Sequence, residues 1–371
     1  MISAGQWLGQ ISTDGMGDGV ATLSVEAGNT NRAFATIWQG PSVPASRIEL
    51  AIARDGNRIS ATSISPPLAY DSAKLSLVPP KEHPQAASFT FSNTIRVEGT
   101  IVENDASGST ISGSWNGESG AAGRFRLQNS LAIHSPPDAR QSWNEYKYHV
   151  SELVKTGQKL LFRGQASSSW PLTTSFHRTK RFDLIRYRDV ECQKLAREIN
   201  ARLARRYKLS EGTDFGAILS LAQHHGFPTP LLDWTYSPYI AAYFALSDYE
   251  VASDNARIFV FDIGMWGELP QPATLTDPAP AVSVREFEAY DNPRHIPQQA
   301  CHTFSNVADI EAWIHFLGAQ HKKKFLTTID IPTSERAYAI HDLRYMGVTA
   351  ASLFPGLDGT CRTLKEEFFL P

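Results

Sequence analysis

The chain reads as an α+β protein in two parts. Residues 1–132 form an all-β barrel or sandwich, and residues 140–371 form a mixed helical and stranded domain behind a linker at 133–139. Three observations lead there. Short alternating runs broken by Gly, Asn, Asp and Ser fill the first third of the chain with no helical period. The segment Ile133-His134-Ser135-Pro136-Pro137-Asp138 marks a change of composition. Beyond it helical and strand periods are interleaved.

In the first part the alternating runs are Ala21 to Val25, Ala33 to Trp38 and Thr94 to Glu98. The stretch from Ile111 to Trp115 and on to Gly123 to Leu127 predicts a hairpin. Many short strands without a helical period fit a small barrel or sandwich. This part shows no catalytic constellation, which leaves targeting, sensing or packing as its role. In the second part helical spacing appears over Trp143 to Val154, and a strand over Lys159 to Phe162 follows. A long basic helix is expected over Arg188 to Tyr207. Its arginines, Arg197, Arg202, Arg205 and Arg206, read as a solvated face or as a phosphate or nucleic-acid contact. The apolar run Arg257 to Ile263 suits a buried strand. Val307, Ile310, Ile314 and Leu317 have helical spacing, and Phe325 to Ile331 alternates as a strand.

Composition narrows the function classes. A chain of 371 residues, 42% hydrophobic, has room for two domains with sizeable cores. A charged fraction of 20% with eight tryptophans is not the composition of a disordered chain. The net charge of −3 argues against a whole-protein electrostatic trap for nucleic acid and leaves room only for a local basic patch. Cys192, Cys301 and Cys361 are odd in number and far apart, without zinc spacing, so a reducing, cytoplasmic compartment and no metal are expected. The first residues have neither the basic nor the apolar region of a secretory signal. No run reaches the roughly 18 apolar residues that would suggest a membrane span.

Two blocks carry the chemistry. In Leu160-Leu161-Phe162-Arg163-Gly164-Gln165 an apolar strand ends in arginine and glycine. Arginine offers a planar fork of donors for phosphate or carboxylate, and glycine admits a ligand or another backbone at close range. A structural ion pair, with Asp233 for example, is the alternative role for Arg163. The second block runs from Gln223-His224-His225-Gly226 through Leu231-Leu232-Asp233-Trp234-Thr235 to Ser237-Pro238 and Tyr243-Phe244-Ala245. Ser237 and Pro238 have the chemistry of a helix start, whose free N–H groups would favour an anion. Cys301 and His302 do not make a nucleophilic pair, because neighbours in a strand point to opposite faces.

These blocks resemble the bacterial FRG domain. Phe162-Arg163-Gly164-Gln165, the Gln-His-His-Gly-x-Pro-Thr block, and Leu-Leu-Asp-Trp-Thr with Ser-Pro and Tyr-Phe-Ala occur in family order. They are followed by Asn292-Pro293-Arg294 with Gln298, Gln299 and Phe304, and then by Leu353 to Gly359. The likeness spans roughly residues 145–365 and leaves the N-terminal part outside. Pro230 departs from the arginine usual in the family, and Gly356 from a common aspartate.

A more distant resemblance joins the same blocks to arginine-type ADP-ribosyltransferases. Phe162-Arg163-Gly164 is similar to their first-strand motif, and Trp234-Thr235-Tyr236-Ser237 with Ala241 to Ala245 to their strand-into-helix element. Pro297 to Phe304 stands where a glutamate-bearing turn would be, and it holds glutamines. Glutamine lacks the charge that stabilises a cationic ribosyl transition state. The resemblance implies a split sheet, NAD as the substrate-cofactor, and transfer of ADP-ribose to a protein or nucleic acid by a toxin or phage-defence effector. It implies catalytic roles for Arg163, Asp233 and Gln299, with Glu288 or Asp358 as other possible acids. NAD contacts would come from Arg163, Gly164, Gln165, His224, Thr235 and Ser237. Two other readings stay open: a nucleotide- or anion-sensing module that does no chemistry, and an RNA-binding effector. The sequence leaves the oligomeric state open.

Overall fold

Alternation of side chains decides the first sheet. In a computed structural model of the chain the described residues are 2–15, 17–40, 43–85, 92–104, 108–129, 136–270, 274 and 276–369. Strands β1 (Gly5–Thr13), β2 (Gly17–Val25), β3 (Arg32–Trp38), β4 (Ser46–Asp55) and β5 (Arg58–Ser63) are followed by a small hairpin of β6 (Leu68–Asp71) and β7 (Ser76–Val78). β8 (Ile95–Asn104), β9 (Gly108–Gly117) and β10 (Ala122–Asn129) complete the set. Every neighbour is antiparallel, in the order β3-β2-β1-β10-β9-β8-β5-β4, and β3 pairs with β4 to close an eight-stranded barrel. Of the two architectures the sequence allows, this is the barrel. Every second residue points inward: Ile48, Leu50 and Ile52 from β4, Ile59 and Ala61 from β5, Leu23 and Val25 from β2. Closure leaves no open strand edge on the ring, and the β6–β7 hairpin sits on β4 outside it.

The second sheet is mixed. Its strands are β11 (Ala139–Arg140), β12 (Leu160–Gln165), β13 (Leu231–Thr235), β14 (Asn255–Asp262), β15 (Val282–Arg285), β16 (Ala300–Ser305) and β17 (Leu326–Pro332). They lie in the order β11-β17-β14-β12-β13-β16-β15, with β11 parallel to β17 and the remaining pairs antiparallel. The sheet is split at its centre. β12 pairs with β14 over six positions and β13 with β16 over five, but β12 meets β13 only at Phe162 opposite Thr235.

Both faces of this sheet are covered. The helices concerned are α1 (Trp143–Lys155), α2 (Cys192–Asn200), α3 (Gly212–His224), α4 (Pro238–Leu246), α5 (Ile310–His321), α6 (Arg336–Tyr345) and α7 (Leu357–Phe368). α1 opens on a capping box between Ser142 and Glu145. It packs with α4 and α6 on one face, over Phe162, Ile258, Val260, Ile329 and Ile331. α4 is apolar all round, so burial on every side is its stable state. The opposite face carries Leu161, Trp234, Phe259 and Phe261 under α5.

The long helix expected over residues 188–207 is shorter. A π-helical turn at Tyr187–Glu191 leads into α2, which stops at Asn200. There the Asn200 side chain accepts from Tyr207 N and donates to Tyr207 O, turning the chain back on itself. Arg202 pairs with Glu198 and Arg205 with Asp214, while Arg206 donates to Asn200 O. Those arginines serve the turn and do not form one basic face.

Of the expected linker, residues 133–135 lie outside the described residues. Asp138 is fixed by Thr328, and β11 begins at Ala139. The barrel is docked on the second domain. Arg47 forms a two-pronged pair with Asp183 at 2.8 and 3.1 Å and lies over the Phe34 ring. Glu26 accepts from the backbone of Phe182 and Asp183. Gln6 Oε1 accepts from Ala308 N at 2.7 Å, and Val20 joins the core beneath α5.

His177 packs against this interface, its ring stacked on Phe182 and its Nε2 buried with no hydrogen-bond partner. Burial pushes its pKa down to about 3 from 6.5. The unfolded chain therefore binds the extra proton between those values, and stability is full above pH 6.5 and is lost progressively as pH falls toward 3. At pH 5 the His177 share of the loss is about 2 kcal/mol. Denaturant unfolding at pH 7.5 and pH 5 checks this, with a smaller drop expected in His177→Phe than in wild type.

Candidate functional site

The split in the sheet opens into a cavity of about 700 Å³. One wall is β12 and its continuation, Phe162 to Ala166. The facing wall is Asp233 to Thr235 of β13, and the rims come from Trp170 to Arg178, from Asn292 to Gln298 and from Phe354. Strand divergence explains the placement, since two strands that part after one bridge leave their end residues facing a gap instead of each other.

Arg163 bridges that gap. Its guanidinium donates to the backbone carbonyl of Asp233 at 2.7 Å, while its Nε is buried without a partner. Burial lowers its pKa to about 10; Asp233 opposes that shift and Arg178 adds to it. At neutral pH the group is still a cation, half-buried at the cavity wall. Arg178 donates to Thr173 O at 2.9 Å, and Arg294 lies over the Phe354 ring, so three guanidinium groups border one space.

The Asp233 carboxylate is 58% exposed at the cavity. Gln223 donates to its Oδ1, and His302 Nε2 stands 3.4 Å from the same atom. The Gln223 carboxamide is fixed in turn by Thr229. His302 and His295 both have pKa values lowered by burial, so they present neutral imidazoles, and each buries an unpartnered Nδ1. His224 is lowered as well, first by burial and then by Arg294.

Of the residues singled out in the sequence, Arg163, Gly164, Gln165, His224, Asp233 and Thr235 all border the cavity. Their roles are not alike. A Cβ on Gly164 would stand 1.9 Å from Ala241 O, so the glycine admits the backbone of α4, not a ligand. Gln165 is buried with an unpartnered Oε1. Thr235 spends its hydroxyl in the turn, donating to Gln298 O and accepting from Ser237 N. Ser237 caps α4 through Ile240 N and does not border the cavity.

Gln299 is exposed in a left-handed turn at φ 46°, away from the wall, and its neighbour Gln298 takes the wall position, donating to Leu353 O. Glu288 and Asp358 are exposed and off the cavity. Cys301 is buried beside Trp234, whereas His302 faces the cavity, as strand alternation requires. Sequence reasoning missed Arg178, His295 and His302 as site residues. Arg178 closes a short helical turn, Ser175–Arg178, for which the sequence carries only the Thr174 cap.

Among the described residues no helix is long and apolar enough to cross a membrane, and no group of three or more His, Cys, Asp or Glu is placed to hold a metal. No curated protein matches the chain. Comparison with protein families matches residues 158–254, from the turn before β12 to the residue before β14, to the FRG domain. Arg163, Gln165, His224, Asp233 and Thr235 share one cavity inside that segment. The chain carries an FRG domain at residues 158–254, behind a closed β-barrel.

Proposed function

We propose that this cavity binds NAD and that the protein is an ADP-ribosyltransferase-like effector acting on a macromolecule in the cytoplasm. The observation that carries the reading is the meeting of Arg163 and Asp233 across the split, a half-buried cation and an accessible carboxylate in one space. The volume suits a cofactor-sized ligand. Arg163, Arg178 and Arg294 supply the charge a pyrophosphate needs, and guanidinium groups match phosphate geometry. Arg163, Gln165, Thr173, His295 and His302 line the cavity and each buries an unpartnered polar atom, which supports a polar occupant. Phe354, Trp170 and Phe244 offer flat apolar surface for a base. The free thiols of Cys192, Cys301 and Cys361 agree with a reducing compartment.

Bound NAD would supply an activated ribosyl carbon. Its bond to the nicotinamide nitrogen breaks with the electron pair leaving on the nicotinamide, and an O or N of the target bonds to that carbon and releases its proton. Arg163 and Arg178 hold and orient the phosphate side. Asp233, fixed by Gln223 and facing neutral His302, offsets the positive charge that develops and is placed to take the proton. Gln298, where a carboxylate would be expected, favours a second reading in which the same cavity senses the nucleotide without transfer.

Calorimetric titration with NAD and transfer of label from the ADP-ribose part of NAD to lysate proteins and nucleic acids test both readings. Arg163→Ala is expected to weaken NAD binding about 10- to 100-fold, the worth of hydrogen bonds to a charged group. Asp233→Asn is expected to bind normally and lose about 100-fold in labelling. Binding that depends on Arg163 without any labelling selects the sensor. Absence of binding by folded wild type, or binding indifferent to Arg163, overturns both.

A further inference from the structure

The barrel interior is not filled. A second cavity, of about 470 Å³, lies inside the ring and is bordered by apolar side chains from its strands. Eight strands is the size at which a barrel either packs its interior or holds one small ligand. Here the far end is plugged by Ile2, Trp7, Ile101 and Ile111, each no more than 2% exposed. The middle is kept open by small inward residues, Ala21, Ala35 and Ala61. Ala35, Ile37, Val97, Trp115 and Phe125 point inward yet stay partly accessible, which a packed core would not allow. At the opposite end polar groups gather without charge. Gln39 donates to Thr13 at 2.8 Å, Ser92 meets Ser119, and Trp115 donates to Ser12 O at 3.1 Å. Among the described residues no Asp, Glu, Lys, Arg or His borders this cavity.

We propose that the barrel is a binding site for one neutral, hydrocarbon-rich small molecule bearing a hydroxyl or carbonyl at one end. The apolar walls gain free energy in proportion to the hydrocarbon surface they cover. The Thr13, Gln39, Ser92 and Ser119 end offers hydrogen bonds to an uncharged head. An ionised head group would be stripped of water with no opposite charge to meet it, which disfavours carboxylate lipids. This site is independent of the cleft in the second domain.

The test is titration of the full chain with the neutral fluorophore N-phenyl-1-naphthylamine. Saturable binding at one site per chain is expected, with displacement by 1-dodecanol at least tenfold more effective than by dodecanoate at pH 8. Ala35→Trp, or Val97→Trp from another wall should the first not fold, is expected to weaken the fluorophore at least tenfold with thermal stability kept or raised. Arg163→Ala is expected to bind it as wild type does. No saturable binding, equal displacement by the carboxylate, indifference to filling in a folded variant, or dependence on Arg163 would each overturn the proposal.

Discussion

Gly164→Ala is expected to lower the stability of the second domain by about 3 kcal/mol or more, the upper end of what overpacking costs. The added methyl would meet Ala241 O at 1.9 Å and Ala245 N at 2.7 Å, both backbone atoms of α4. Backbone cannot rotate away as a side chain can, so the whole helix must shift. α4 lies in the apolar core with Ile240, Ala241, Ala242, Tyr243, Ala245 and Leu246 all buried, and there is no slack on its far side. The shift would also move Ser237 and Thr235, whose turn borders the cleft. Thermal unfolding checks the prediction, with an expected drop of roughly 6–12 °C. Gly212→Ala is the control, because nothing lies within 4 Å of the added methyl and its φ is not in the left-handed range. It is expected to leave the melting temperature unchanged or raise it slightly. An undisturbed Gly164→Ala would mean that strand and helix are not in backbone contact.

Asp330→Asn is expected to cost about 3–5 kcal/mol, the usual penalty for breaking a buried ion pair from one side. Arg257 on β14 and Asp330 on β17 are register partners, joined by hydrogen bonds of 2.7 and 3.1 Å, and both side chains are almost fully buried. The neutral amide leaves the guanidinium charged and without its counter-ion in the middle of the sheet. The double variant Arg257→Met with Asp330→Leu is expected to recover most of the loss, since the pair's own desolvation cost disappears along with its attraction. Equilibrium denaturation of the two variants separates these cases. A double variant as unstable as the single one would show that the charges do more than neutralise each other.

The sequence makes some of this visible and hides the rest for physical reasons. The strands of the barrel and the β9–β10 hairpin are legible because period-two alternation is local. Closure is not, because it rests on β1 pairing with β10 and β5 with β8, contacts that no short window contains. The helix over residues 188–207 is overread because a side-chain bond from Asn200 to Tyr207 outweighs an apolar stripe. At the cleft, Arg163 and Asp233 are legible from the motif that holds them. Arg178 arrives from a segment with ordinary local sequence, and His302, although inside the Pro297 to Phe304 block, matters only through where the sheet puts it. Arg257 stands at the head of an apolar run, and its partner lies 73 residues on, beyond any local signal.

The docking of the barrel also sets a timetable for synthesis. All barrel pairings are complete once residue 129 has left the ribosome. Gln6 closes on Ala308, 302 residues later, and β17 ends at Pro332. At about 5–20 residues per second the barrel's docking face, with Val20, Phe34 and Arg47, waits roughly 10–40 s for its partner. For that interval the nascent chain presents a finished sticky surface, and a chaperone or a neighbouring nascent copy can reach it before the protein's own second half does.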